Sequence, residues 1–201
     1  LGITSNRIIE ILIGVFFGLS NLAYFSVARD LRNQIANLMK VVLPLFYSDF
    51  VKQPVEALVG LVKKHLVRMI ALSTTLGFAG VALGVGYILV FLPTEFRTAI
   101  PYLIILGLAF PIGIPTIILN TVLLAHLRYR AIAVATTIPN TLEIILVALL
   151  GWIWGIIGMT TAVAIFGYIS FVFFYLATVK RESLRKFLEQ RKLMRVIMKV
   201  Y

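Results

Sequence analysis

Residues 22–47 read LAYFSVARDLRNQIANLMKVVLPLFY, a long apolar stretch interrupted at intervals by charged and amide side chains. At 100° per residue, Arg29, Asn33, Asn37 and Lys40 fall within roughly 80° of one another around a helix. The opposite face is apolar and carries Val27, Leu31, Ile35, Leu38 and Val42. A membrane helix with one polar stripe turns that stripe toward a protein or water-filled interior. The stretch therefore predicts a membrane-spanning helix over 22–47.

The composition of the whole chain agrees with a membrane location. Of 201 residues, 61% are hydrophobic and 13% charged, and the mean hydropathy is +1.01, whereas ordinary globular domains are about 45–50% apolar and about 25% charged. A chain of this size cannot bury such an excess in its own core. We therefore predict an all-α integral membrane protein. The absence of cysteine excludes disulfides, thiolate metal sites and a cysteine nucleophile.

Further spans are recognisable by length, because about 20 apolar residues in a helix cross the hydrocarbon core. Hydropathy alone would also allow a span over 8–28, but that choice strands the apolar run 41–47, which is too short to cross. With 22–47 assigned instead, residues 1–12 are predicted to end an earlier, truncated helix, and a transmembrane bundle is expected over 13–179. Its other complete spans, which bring the total to about five, are 69–92, 101–125, 131–151 and 155–178.

Basic residues predict the orientation of these spans. They concentrate in loop 51–68, in loop 126–130 and in the tail 180–201, which holds eight Lys/Arg and two Glu, whereas loops 93–100 and 151–155 hold only Arg97. We therefore predict a multi-pass protein of the cell membrane, and the positive-inside rule places its C-terminus on the cytoplasmic side. The tail is expected to be a basic amphipathic helix on anionic lipid heads of the inner leaflet. Because these charges separate apolar spans and form no nucleic-acid motif, no nucleic-acid partner is predicted.

Five short stretches resemble, in order, the C-terminal half of one transporter family. They are NRII at 6–9 followed by Gly14 and Gly18, YFSVA at 24–28, LPLFYS at 43–48, EFRTA at 95–99 and GIIG at 155–158. The family comprises the polysaccharide-biosynthesis flippases of the multidrug, oligosaccharidyl-lipid and polysaccharide exporter superfamily. The resemblance implies one lobe of a two-lobe transporter that flips lipid-linked oligosaccharides by alternating access. The implied partners are the bilayer, the glycan substrate and the N-terminal lobe.

The polar stripe is the candidate substrate site of such a transporter. A lipid-linked sugar carries phosphate, and cations on a cavity wall offset its desolvation, with Arg able to hold two oxygens at once. We expect the stripe to supply phosphate contacts and sugar hydrogen bonds through Arg29, Arg32, Asn33, Asn37 and Lys40. The alternative is structural, with either arginine paired to Asp30 or lying in the head-group layer.

Two other spans carry candidate residues. Asn140 and Glu143 share a face of span 131–151, and a carboxylate near mid-membrane indicates ion coupling, as a proton carrier or as the partner of a cation. Pro111 and Pro115 break the helical pattern of span 101–125. They are candidate hinge residues, although proline is also tolerated in membrane helices as a static kink.

Two competing functions fit the sequence less well. A drug or cation antiporter of the same superfamily would use Glu143 to bind H⁺ or Na⁺, but the basic stripe disfavours cationic substrates. A membrane glycosyl- or acyltransferase would need paired acidic ligands or a His/Asp pair, whereas the eight acidic residues are scattered. We therefore predict no enzymatic activity, no cofactor and no metal site.

Overall fold

The computed structural model describes residues 2–41, 52 and 55–197, with side chains described over 7–40, at 52 and over 57–178. The described residues are almost entirely helical, which confirms the all-α prediction. They form two short 3₁₀ helices, Thr94–Thr98 and Phe110–Ile112. They also form five α-helices, which are α1 Gly2–Val41, α2 Val55–Phe91, α3 Ala99–Gly107, α4 Gly113–Ala125 and α5 Tyr129–Ile197.

Helix α1 reverses its direction at Gly18. This residue has φ 82° and ψ 166°, a backbone region that is essentially restricted to glycine. On either side of the corner Gly14 lies against Leu22, and Glu10 forms an ion pair with Arg29. A straight helix would separate residues 10 and 29 by about 28 Å. Helix α1 therefore consists of two antiparallel limbs, 2–17 and 19–41.

Helix α5 reverses in the same way at Gly155, where φ is 63° and ψ −148°. Gly151 before the corner packs against Met159 after it; a Cβ on Gly151 would lie 2.7 Å from the Met159 side chain. The two limbs are 129–154 and 156–197. Phe17 lies beside Gly155, so the two glycine corners are neighbours at one end of the bundle.

The segment predicted as span 101–125 is bent, and both candidate hinge prolines lie at the bend. Helices α3 and α4 meet at an angle of 42°, with turn and 3₁₀ backbone over 108–112. Pro111 lies in the 3₁₀ helix and Pro115 in the first turn of α4, positions where the missing N–H needs no helical partner. The bend therefore follows from the prolines.

Side chains from two other helices satisfy the backbone groups that this bend releases. Ser73 of α2, fully buried, donates its hydroxyl to the carbonyl oxygen of Phe110 and accepts the Ile114 N–H at 3.1 Å. The hydroxyl of Tyr168 donates to the carbonyl oxygen of Leu108 at 2.6 Å. Buried backbone groups are costly without partners, so these two side chains stabilise the bent conformation.

The core has a larger cluster near the glycine corners and smaller ones toward the opposite end. The larger cluster joins both limbs of α1 and α5 through buried residues that include Ile13, Phe25, Val147 and Met159. Toward the other end, the start of α2 and the end of α4 meet the start of α5. The exposed cations Lys63, Lys64, Arg68 and Arg130 lie on α2 and α5 at that end, and the partly buried Arg128 lies between α4 and α5. The bundle thus carries a basic end and an end formed by the two corners.

Several helices are long and apolar enough to cross a membrane. Three qualify within the described ranges, Arg7–Lys40, Ala57–Phe91 and Tyr129–Thr178, and the bent pair of α3 and α4 makes a fourth if it counts as one span. Large apolar side chains cover the outside; Leu19 is 80% exposed and Trp152 90% exposed. Such a surface is compatible with a lipid environment.

The helix boundaries predicted from the sequence differ from those of the two limbs of α1 by a few residues. The helix predicted to end within 1–12 continues to residue 17, and the helix predicted over 22–47 begins directly after Gly18. Its predicted end, at 42–47, lies outside the described residues. The backbone of the predicted tail continues α5 as helix to Ile197, and residues 198–201 also lie outside the described part.

Replacing Ser73 tests the bend. In Ser73→Ala the carbonyl of Phe110 and the N–H of Ile114 lose their shared partner. The free energy of unfolding should therefore fall by about 1–3 kcal/mol. The matched control is Thr75→Ala on the same helix, because Thr75 is exposed and bonds only to Ala71 of its own turn. Thermal unfolding of both purified variants in detergent measures the difference. Equal midpoints for the two variants would show that the Ser73 contacts are energetically unimportant.

Candidate functional site

The polar stripe of α1 begins inside the bundle with a paired arginine. The side chain of Arg29 is 13% exposed and forms an ion pair with Glu10 on the other limb of α1, whose side chain is 27% exposed. The guanidinium carbon of Arg29 also lies 5.8 Å from the centroid of the Phe25 ring, within the range of a cation–π interaction. Asp30, the partner considered from the sequence, is exposed. Glu10 is thus the acid that neutralises Arg29.

The second arginine of the stripe faces a different helix. Arg32 is partly buried, and Glu143 of α5 lies close enough for the two charges to attract each other. Glu143 is only 3% exposed. Arg32 also donates through Nη1 to Oδ1 of its neighbour Asn33 at 3.3 Å. Of the two roles considered for Glu143, these surroundings favour the partner of a cation.

The stripe ends at an exposed pair. Asn37 and Lys40 lie one and two turns beyond Asn33, and both are exposed. Lys40 Nζ donates to Oδ1 of Asn37 at 3.3 Å. The structure therefore divides the five predicted substrate residues into two groups. Arg29, Arg32 and Asn33 lie within the bundle, and Asn37 and Lys40 lie on its surface.

The charged group lies in the middle of the bundle along its long axis. Counted from the nearest corner, Glu10 is about 12 Å, Arg29 about 17 Å and Glu143 about 18 Å away at 1.5 Å per residue. The hydrocarbon core of a bilayer is about 30 Å thick. If the corners lie near one membrane surface, these charges are close to the bilayer centre, where an unpaired ion is most costly.

The two arginines retain hydrogen-bonding capacity. Among the described residues, none accepts a hydrogen bond from the buried atoms Nε and Nη1 of Arg29 or Nε of Arg32. Buried polar groups in folded proteins nearly always have partners, so each exception requires an explanation. Guanidinium N–H groups pair best with the oxygens of carboxylate or phosphate. The cluster therefore has donors left for an anionic oxygen ligand.

Glu10 is the member of this cluster that the sequence did not indicate. Its predicted helix ended at residue 12, which hid its relation to the stripe. Once a reversal at Gly18 is allowed, Glu10 and Arg29 lie at similar distances from the corner and therefore face each other. The available signal in the sequence was Gly18 itself, a glycine between two apolar segments.

The remaining residues that the sequence singled out are Asn140, Pro111 and Pro115. Asn140 is partly buried one turn before Glu143. Pro111 and Pro115 lie at the bend of α3 and α4. Within the described ranges, no group of three or more His, Asp or Glu side chains is positioned to hold a metal ion.

A double-mutant cycle tests the pairing of Arg29 with Glu10. Glu10→Gln leaves a cation unpaired among apolar side chains, and such a loss is strongly destabilising. We expect Arg29→Gln to restore much of that stability, with a coupling of about 1–3 kcal/mol between the two positions. Unfolding of the four proteins in detergent measures the coupling, and Glu95→Gln, an exposed glutamate, is the control. Strictly additive effects would contradict the pairing.

Known proteins provide no independent identification. Comparison of the chain with protein-family models, with curated proteins and with solved structures returned no match. The family resemblance noted from short sequence stretches therefore stays a prediction. What supports a function is the chemistry of the charged cluster and its position within the apolar bundle.

Proposed function

We propose that this chain is one lobe of a transporter that flips lipid-linked oligosaccharide or polysaccharide precursors across the cell membrane. The observation that carries the proposal is the pair Arg29 and Arg32, held inside an apolar bundle with N–H donors that no described residue uses. A charged arginine at such a site is costly. An anionic substrate that visits the site offers a reason to keep it, because phosphate oxygens can accept those donors.

The two glutamates determine how such a site would operate. Two arginines without partners would carry two positive charges into a low dielectric. With Glu10 and Glu143 nearby, the resting cluster is close to neutral, and the arginines are held in place for a ligand. Substrate phosphate then competes with the carboxylates for the guanidinium groups. The exposed pair Asn37 and Lys40 extends the stripe toward the basic end and provides a first contact.

Transport by alternating access requires a second lobe facing this one. In the proposed arrangement the exposed end of the stripe, at Asn37 and Lys40, faces the cavity between the lobes. The basic end with the C-terminal helix faces the cytoplasm, as the distribution of Lys and Arg predicts. Limb 19–41, the two limbs of α5, α2 and the bent pair then each cross the bilayer once. This division gives five complete crossings and the partial crossing 2–17.

A cation-coupled antiporter of the same superfamily is the second candidate. It is favoured by Glu143, a buried carboxylate close to mid-bundle, since protonation of such a group can drive transport. The sign of the substrate charge distinguishes the two candidates. A flippase for anionic lipids needs Arg29 and Arg32, whereas an antiporter for cationic drugs needs Glu143 and is hindered by the arginines.

Export of the lipid-linked glycan by the complete protein in cells tests the proposal. Lys40→Ala is the informative single change, because an exposed side chain can be removed without unfolding the bundle. We expect export to fall about five- to tenfold, corresponding to the loss of one charge-assisted contact. Arg29→Gln and Arg32→Gln should each reduce it further. The matched control is Arg97→Ala, an exposed arginine in the opposite loop.

All variants are compared at equal amounts of protein in the membrane. If a variant with alanine at Arg29, Arg32 and Lys40 still exported the glycan at the normal rate, the stripe would not be the substrate site. Drug efflux that depends on Glu143 across pH, with no dependence on the arginines, would instead establish the antiporter.

A further inference from the structure

The two glycine corners lie side by side at one end of the bundle, and the surface around them is apolar. Because Phe17 lies beside Gly155, both corners contribute to one continuous surface. No charged side chain occurs in residues 11–28 or 144–179. We call the large exposed side chains around the corners the corner surface. They are Val15, Phe16, Leu19, Trp152, Ile153 and Trp154.

The exposed side chains of the second corner point in several directions. Trp152, Ile153 and Trp154 are consecutive residues of one helix and are 90%, 56% and 62% exposed. At 100° per residue, the two indoles point about 200° apart. One protein partner covers one side of a helix, whereas lipid surrounds it. The pattern of exposure therefore favours lipid over a docked protein at this surface.

The backbone of the corners does not suit a position deep in hydrocarbon. A helix that reverses leaves carbonyl groups before the corner and N–H groups after it without helical partners. Asn21 satisfies one of them, since its Nδ2 donates to the carbonyl oxygen of Phe17 at 2.9 Å. Backbone groups freed in this way are otherwise satisfied by water or lipid head groups, and hydrocarbon provides neither.

Charged side chains at the same end set a second limit on depth. Glu95 and Arg97 are exposed, and they flank Phe96, whose ring packs edge-on against Tyr24 with the centroids 5.6 Å apart. Tyr24 lies about 9 Å from Gly18 along its limb. The two charges are therefore closer to the middle of the bundle than the corner is. A deeply immersed corner would carry them into hydrocarbon, which is costly.

About one bilayer thickness separates the corner surface from cations toward the opposite end. Along their limbs, Trp152 lies about 33 Å from Arg130, and Leu19 lies about 32 Å from Lys40. Both distances slightly exceed the thickness of the hydrocarbon core, about 30 Å. Two separate helices thus place the corner surface in the interfacial layer when the cations lie at the opposite head groups. Tryptophan is enriched in that layer because its ring is apolar and its N–H is polar.

We infer that the corner surface is a lipid anchor, which binds the interfacial layer of the leaflet opposite the basic end. Its apolar side chains contact the upper acyl chains, and the indole N–H groups contact lipid carbonyl groups and water. Because the anchor contains no charged residue, its binding does not depend on anionic lipid, in contrast to a basic surface. The inference does not rest on the proposed function, and the anchor would determine the depth of the charged cluster in the bilayer.

Intrinsic tryptophan fluorescence tests the anchor, because Trp152 and Trp154 are the two tryptophans of this sequence. The protein, with phenylalanine at any tryptophan outside residues 1–201, is placed in vesicles of phosphatidylcholine. Its acyl chains carry bromine near the carbonyl groups, in mid-chain or at the chain end. Bromine near the carbonyls should quench at least about twofold more than bromine at the chain end, because the indoles lie in the interfacial layer. Aqueous iodide should quench less than it quenches free tryptophan.

Single-tryptophan variants distinguish lipid from protein contacts. Trp152→Phe and Trp154→Phe each leave one indole, and lipid around the whole corner predicts the same order of quenching for both. The control carries phenylalanine at both positions and Ile145→Trp, at an exposed residue of the same limb about 15 Å from Gly155. There the chain-end bromine should quench most. Replacing part of the unbrominated lipid by phosphatidylglycerol should change none of these orders.

Three results would overturn the anchor. Strong quenching by iodide with none by the brominated lipids would place the corners in water. Protection of either indole from both kinds of quencher would show that a second copy or another protein covers it. Strongest quenching of the native indoles by chain-end bromine would place them in the hydrocarbon core. Glycan export is measured separately, so either proposal can fail without the other.

Discussion

The ion pair between Arg29 and Glu10 is the interaction on which the rest of the structure depends. A charge in an apolar bundle must be neutralised by a partner, and α1 folds back on itself so that Glu10 pairs with Arg29. Glu143 of α5 likewise lies close enough to Arg32 for their charges to attract each other. One ion pair and one longer-range attraction thus favour the faces on which three helical segments meet. Apolar packing alone specifies the rotation of a helix poorly when the whole surface is apolar, so these charges give the bundle its specific arrangement.

Glycine and proline make this arrangement accessible to the backbone. Gly18 and Gly155 reverse two helices in a conformation that other residues avoid, and their neighbouring corners bring both charged helices to one depth. The prolines bend the segment of α3 and α4, and Ser73 and Tyr168 bind the backbone groups that are left. The irregular backbone of this bend is therefore compensated by side chains from other helices, which is the condition for irregular backbone inside an apolar bundle.

Much of this fold was predictable from the sequence, because the helical period and the length of an apolar segment can be read from neighbouring residues alone. Hydropathy located the apolar segments, the stripe from Arg29 to Lys40 defined one face of a helix, and the prolines marked the bend. The partners of the charges were not predictable, since they depend on how distant segments meet. Glu10 was assigned to a helix that ended too early, and nothing in the sequence distinguishes Ser73 from the two threonines that follow it. For the candidate site, the sequence indicated the arginines and Glu143 but not the pairing that explains them.

The reversal of α1 can be measured directly with two spin labels in the protein in lipid. Arg7 and Asp30 are exposed, lie on different limbs, and can be replaced by cysteine in a sequence that has none of its own. Two packed limbs place their backbones about 10 Å apart, whereas an uninterrupted helix separates them by about 35 Å. The account predicts strong dipolar broadening of the EPR spectrum from closely spaced labels. A single distance near 35 Å, without broadening, would contradict the fold-back and with it the pairing of Arg29 and Glu10.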